Sequence, residues 1–80
     1  MKIVIVGGVG HVGLPFGLVL ADCGHQVTAL DRDEIKVDSV NVGEMPFMER
    51  GAQELLARVL STQKFSATTD PSCLVEAECV

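Results

Sequence analysis

Gly8, Gly10 and Gly13 stand at the spacing G-x-G-x-x-G (Gly8-Val9-Gly10-His11-Val12-Gly13), and Asp31 follows 23 positions after Gly8. Glycines so spaced suit the binding of a diphosphate by backbone N–H groups. The first permits a tight turn, the second lets the main chain approach the ligand with no Cβ in the way, and the third lets a helix pack close to a strand. An acid roughly 20 residues further on, at the end of a second strand, suits the hydroxyls of an adenosine ribose. The other reactive side chains suggest no chemistry. His11 has no Asp or Glu spaced to orient it as a general base, and His25 sits in a turn. Asp33 and Glu34 suit a helix N-terminus better than a metal. Cys23, Cys73 and Cys79 lack C-x-x-C or His/Cys spacing and read as small core residues. No catalytic residue and no metal ligand is assigned.

Such a turn functions only between a strand and a helix, and the flanking sequence supplies both. Lys2 to Val6 is a β-branched run ending in glycines, the pattern of a central parallel strand. From Gly10 to about Cys23 the apolar residues Val12, Phe16, Val19 and Leu20 recur at helical spacing, with Pro15 tolerated near the first turn and Gly24 as the stop. Gln26 to Leu30 is a second strand, closed by Asp31. Asp33 to Val42 reads as a short helix with Asp33 as N-cap, Ile35, Val37 and Val40 facing inward, and Gly43 at its end. A proline loop, Glu44 to Arg50, leads to a helix from about Gly51 to Ser61 with Leu55, Leu56, Val59 and Leu60 as its apolar set. Phe65 to Thr68 is a third strand, and Asp70-Pro71 opens a last short helix to about Glu76. Cys79 and Val80 fall where a fourth strand would begin, so the expected fold is an α/β, Rossmann-like doubly wound parallel sheet truncated near the start of that strand. Residues 1–80 then form a partial dinucleotide-binding domain, and sugar-nucleotide and catalytic domains are absent.

Eighty residues allow one domain with a thin core. The composition is 48% hydrophobic with three Phe and no Trp or Tyr, which fits a buried parallel sheet covered by small-faced helices. A net charge of −5 without a basic cluster argues against nucleic acid and anionic membranes as partners. The apolar start is too short to span a bilayer and lacks the features of a signal peptide, so a cytoplasmic protein is expected.

The turn, strand and acid together point to a nicotinamide dinucleotide held by Gly8, Val9, Gly10, His11, Val12 and Gly13, with the N–H groups of His11 and Val12 foremost and Asp31 on the ribose. The Asp31 carboxylate would repel the extra phosphate of NADP, which favours NAD. Arg32 could hold such a phosphate, or lie over the adenine, or face solvent.

Up to Asp33 the pattern equally resembles the nucleotide-sensing regulatory domains of potassium-uptake systems, which catalyse nothing. Those domains join the second and third strands by one short helix, whereas this chain spends Glu34 to Thr69 on two helical patterns and a proline loop. Short-chain hydroxyacid dehydrogenases and flavin enzymes share the opening turn but give no reason for the Pro46 to Leu56 segment. The series Gly10-His11-Val12-Gly13-Leu14-Pro15, Asp31, Lys36-Val37, Val40-Asn41-x-Gly43, Pro46, Glu49, Gly51, Glu54-Leu55-Leu56 and Ala67-Thr68-Thr69-Asp70 resembles the N-terminal domain of the UDP-glucose and GDP-mannose dehydrogenase family. The resemblance implies oxidation of the C6 alcohol of a nucleotide-linked sugar to a carboxylate with two NAD. It also implies a basic cofactor contact at Lys36, a nucleotide-sugar substrate bound through regions outside this sequence, and a homo-oligomeric parent. The family's nucleophilic Cys and its assisting residues match nothing here. Ala52 and Gly17 depart from the family pattern, where Leu and Ala are usual.

Overall fold

The computed structural model describes residues 2–48 and 50–76, the side chain of Glu76 excepted. Strand β1 (Lys2–Val6) is followed by α1 (Gly13–Asp22), β2 (Gln26–Leu30), α2 (Glu34–Asn41), α3 (Ala52–Ser61), β3 (Phe65–Thr68) and a 3-10 helix (Pro71–Glu76). All strand pairs are parallel, in the order β1-β2-β3, with Val4 opposite Thr28 and Ala29 opposite Ala67. This is the expected α/β, Rossmann-like arrangement. The position expected for a fourth strand, Cys79 and Val80, lies outside the described residues.

Period-2 alternation sends Ile3, Val27, Ala29, Phe65 and Ala67 to one sheet face, where they meet Leu14, Leu18, Val37, Val40, Leu56 and Val59 from the helices. Helix α1 buries Leu14, Gly17, Leu18 and Ala21. The expected face was different: Val12 is 85%, Phe16 59% and Val19 53% exposed, and only Leu20 packs partly on the core. Leu14 and Leu18 are fully buried on the same face as Gly17 and Ala21, and a Cβ on Gly17 would lie 3.0 Å from Ile5 Cδ1 and 3.2 Å from Phe65 Cε2, so this face joins apolar bulk to a small residue where the helix comes close to the sheet. Ile35, also expected inside, is 81% exposed because Val37 and Val40 alone carry the buried face of the short α2. Of the apolar set on α3, Leu56 and Val59 are buried while Leu55 and Leu60 are half-buried.

Each α-helix ends in the same way. His25 N–H bonds Leu20 O, Glu44 N–H bonds Ser39 O and Lys64 N–H bonds Val59 O, each around a residue at positive φ: Gly24, Gly43 and Gln63. Asp33 caps α2, its Oδ1 accepting the Lys36 N–H at 3.1 Å, as its position before the helix suggests. Asp70 starts the last helix by accepting the Ser72 N–H at 2.9 Å, which holds its carboxyl below the usual carboxylate range. The helix it opens is 3-10 rather than α.

Two polar contacts tie the elements together. The Asn41 amide reaches from the end of α2 to β3, donating to Ala67 O at 2.7 Å and accepting Ala67 N–H at 2.9 Å, so one side chain occupies part of the outer edge of that strand. Arg58 on α3 forms an exposed bidentate pair with Asp22 on α1, at 3.0 and 3.3 Å. Such an exposed pair adds little stability.

Candidate functional site: the glycine turn and the strand ends

The chain leaves β1 through Gly7, which takes φ 73°, and the Gly7 and Gly8 N–H groups both donate to Leu30 O, at 2.8 and 3.2 Å. The left-handed residue is Gly7, and Gly8 lies inside the tight turn that the Gly10 N–H closes on Gly7 O at 3.1 Å, as the spacing suggested. Gly8 is needed for another reason: a Cβ there would lie 2.5 Å from Ala29 Cβ and 2.7 Å from Ile5 O. Gly13 serves close approach as expected, since its Cβ would sit 2.7 Å from Gly7 O. Gly10 differs from both. Its Cβ would meet only Gly7 O, at 3.3 Å, and would otherwise point into open space.

That space adjoins a helix start with no protein partner of its own. Helix α1 has Val12 at its N-cap, with no side-chain cap and no acid in the first turn. Among the described residues, the N–H groups of His11, Val12 and Gly13 make no backbone hydrogen bond, whereas Leu14 N–H already bonds Gly10 O at 3.0 Å. Free N–H groups at the positive end of a helix dipole attract an anion. Val9 contributes otherwise: its side chain is fully buried in the core, and its N–H donates to Asp31 Oδ2 at 3.4 Å.

Asp31 thus lies against the turn. Its other oxygen accepts the Asp33 N–H at 3.1 Å, and its own N–H bonds Thr68 O at 3.1 Å, which fixes the carboxylate where β2 meets β3. Beside it a half-open cleft of about 630 Å³ is lined by Val6, Gly7, Leu30, Asp31, Arg32, Thr69 and Pro71, at the C-terminal ends of all three strands. Open α/β sheets bind their ligands at this end. The structure brings Asp31 and Arg32 together on this cleft, with Arg32 exposed on it. Lys36 does not line it; it is half-buried in the first turn of α2.

Gly7, Thr69 and Pro71 were not singled out from the sequence as site residues. The rule that ligands sit at strand C-terminal ends would have flagged Thr69, which directly follows β3. Nor was Phe47, whose ring stacks on the His11 ring with centroids 4.3 Å apart and planes 20° from parallel. Among the described residues no group of acids, His and Cys could hold a metal, and no helix is long and apolar enough to cross a membrane.

Comparison with known proteins agrees with this geometry. Residues 1–80 match the model of the UDP-glucose/GDP-mannose dehydrogenase family, NAD binding domain. The chain is 36% identical over 77 residues to the UDP-glucose 6-dehydrogenase of Rhizobium meliloti (strain 1021), which covers 96% of the chain and 17% of that enzyme. It is 40% identical over 63 residues to the GDP-mannose 6-dehydrogenase of Pseudomonas syringae pv. syringae, covering 79% of the chain and 14% of that enzyme. Its fold superposes on a ternary complex of GDP-mannose dehydrogenase from Pseudomonas aeruginosa with a TM-score of 0.91 at 33% identity, over 96% of the chain and 18% of that structure. On the UDP-N-acetyl-mannosamine dehydrogenase Cap5O from Staphylococcus aureus the TM-score is 0.83 at 32% identity, over 89% of the chain and 17% of that structure. The chain thus spans less than a fifth of the length of these relatives.

Proposed function

The chain belongs to the UDP-glucose/GDP-mannose dehydrogenase family, whose NAD-binding domain it matches, and we propose that its glycine turn and strand ends hold the NAD of a nucleotide-sugar 6-dehydrogenase. When bound, NAD supplies a hydride acceptor, and two such oxidations take the C6 alcohol of a nucleotide-linked sugar to a carboxylate. The residues here bind and orient. The N–H groups of His11 and Val12, with the α1 dipole behind them, take the diphosphate, and the missing Cβ of Gly10 leaves it room. Asp31 exchanges its bonds to the Val9 and Asp33 N–H groups for the ribose hydroxyls. Arg32 flanks the adenosine in the strand-end cleft, and Lys36, outside that cleft in the first turn of α2, is the basic cofactor contact that the family resemblance implies.

The observation that carries this reading is the uncapped start of α1 beside a carboxylate that reaches the same turn. Cys23 is exposed and Cys73 half-buried, so neither is the buried core residue expected from the sequence, and we assign neither a catalytic role. The nucleotide-sugar and catalytic domains belong to other parts of a homo-oligomeric, cytoplasmic parent enzyme, and those parts choose the sugar and the nucleotide.

Calorimetric titration of the full-length protein with NAD and NADP tests the assignment. The wild type should prefer NAD. D31N, which removes a charged hydrogen-bond acceptor, should weaken NAD by roughly 10- to 100-fold and narrow the preference over NADP. Unchanged cofactor preference in the variant would refute the role of Asp31.

A further inference from the structure

The segment that carries the diphosphate-binding N–H groups is the least anchored part of the turn. Before it, Val9 is fully buried and the Gly7 and Gly8 N–H groups are bonded to Leu30 O; after it, Leu14 is fully buried and its N–H is bonded to Gly10 O. Between these anchors, the side chains of His11 and Val12 are exposed, and their N–H groups have no backbone partner among the described residues. With glycines at 10 and 13 on either side, this stretch has unusual backbone freedom.

One contact restrains it from the side. The His11 ring lies nearly parallel on Phe47, and Phe47 is no loose partner. It packs on the core together with Met45, and the start of its loop is clipped by Gln53 of α3, whose Oε1 accepts the Met45 N–H at 3.1 Å and whose Nε2 donates to Gly43 O. Helix α3 in turn packs against α1. The restraint runs from α1 through the turn, His11, Phe47, the 44–48 loop and α3 back to α1.

We propose that His11 and Phe47 are a positioning pair, whose stack fastens the 44–48 loop to the glycine turn and holds the His11 and Val12 N–H groups ready for the diphosphate. This rests on the NAD-binding reading above. Donors held in place before the ligand arrives cost less to order on binding. The stack needs a flat ring at position 11, not its nitrogens, so the pair acts through ring contact and not through an imidazole-to-phosphate bond.

The test is a calorimetric titration of the full-length protein with NAD, and separately with adenosine, which lacks the diphosphate. An aromatic pair of this kind corresponds to roughly three- to tenfold in affinity, so H11A and F47A should each weaken NAD by about that factor. The double variant should be no weaker than either single one, and H11F should restore NAD affinity to within about twofold of wild type. Adenosine affinity should stay unchanged throughout, which general loss of structure would not allow. Wild-type NAD affinity in both H11A and F47A would overturn the pairing. So would an H11F variant as weak as H11A, because the nitrogens themselves would then be the contact. A wild-type protein that binds no NAD would instead overturn the cofactor reading on which the pairing rests.

Discussion

Alanine at each of the three motif glycines should separate folding from binding. A methyl at position 8 would lie 2.5 Å from Ala29 Cβ and 2.7 Å from both Ala29 Cα and Ile5 O, so backbone at the centre of the sheet must shift. Overpacking of this kind costs about 1–3 kcal/mol or more. At about 4–8 °C per kcal/mol for a domain of this size, the melting temperature should fall by roughly 4–24 °C. A methyl at position 13 would sit 2.7 Å from Gly7 O and 3.2 Å from Gly8 Cα, which outweighs the gain of up to about 1 kcal/mol from alanine in a helix. Position 10 should behave differently. Its only near neighbour would be Gly7 O at 3.3 Å, and its φ is outside the left-handed region, so G10A should change stability by less than about 1 kcal/mol. On the proposed binding mode the same methyl would occupy the space the diphosphate needs. Loss of two hydrogen bonds to a charged group, each about 1.5–3 kcal/mol, amounts to at least roughly 100-fold in NAD affinity. Thermal melting followed by circular dichroism, paired with NAD titration, reads both quantities. The reasoning is refuted if G10A binds NAD like the wild type, or if it melts as low as G8A.

Gln63 holds φ 61° at the end of α3 where α1 and α2 use glycine, so Gln63→Gly should raise stability by about 0.5–1 kcal/mol in chemical denaturation; a lower midpoint would show that the turn is not strained. Asn41→Ala should cost about 1–3 kcal/mol, because the N–H and C=O of Ala67 both lose their partner, and hydrogen exchange at the Ala67 amide should accelerate. Unchanged exchange at Ala67 would mean that the Asn41 amide does not protect that edge.

Much of the fold could be read from the sequence because the signals were local. Strand β1 is a β-branched run before a glycine cluster, Asp33 caps its helix, and Gly24 and Gly43 stop theirs at positive φ. The two helices between β2 and β3, which set this chain apart from one-helix sensor domains, fall within a residue or two of where periodicity put them. What failed depends on the approach of one element to another. The Val12, Phe16 and Val19 face of α1 was expected inside, yet the sheet accepts the Leu14, Gly17, Leu18 and Ala21 face, which has the same helical spacing and two leucines but also the small residues that let the helix come close. Gly17 stands where Ala is usual in the family, and a Cβ there would crowd Ile5 and Phe65, so space is part of its role.

The site was legible to a similar depth. The glycine spacing and Asp31 pointed to the candidate site, but the motif could not say that Gly7 makes the left-handed turn while Gly8 clears Ala29. Thr69 and Pro71 reach the cleft only because β3 lies beside β2. Phe47 reaches His11 across 36 positions of chain, through a loop whose path depends on Gln53. Contacts of that kind leave no local periodicity in a sequence.

A crystal structure of the full-length protein with NAD is the most direct test of the central claim. The diphosphate should lie within hydrogen-bond distance of the His11 and Val12 N–H groups, over Gly10, with the Asp31 carboxylate on the adenosine ribose. NAD bound with its diphosphate away from the start of α1, or with Asp31 still bonded to the Val9 N–H and not to the ribose, would contradict it.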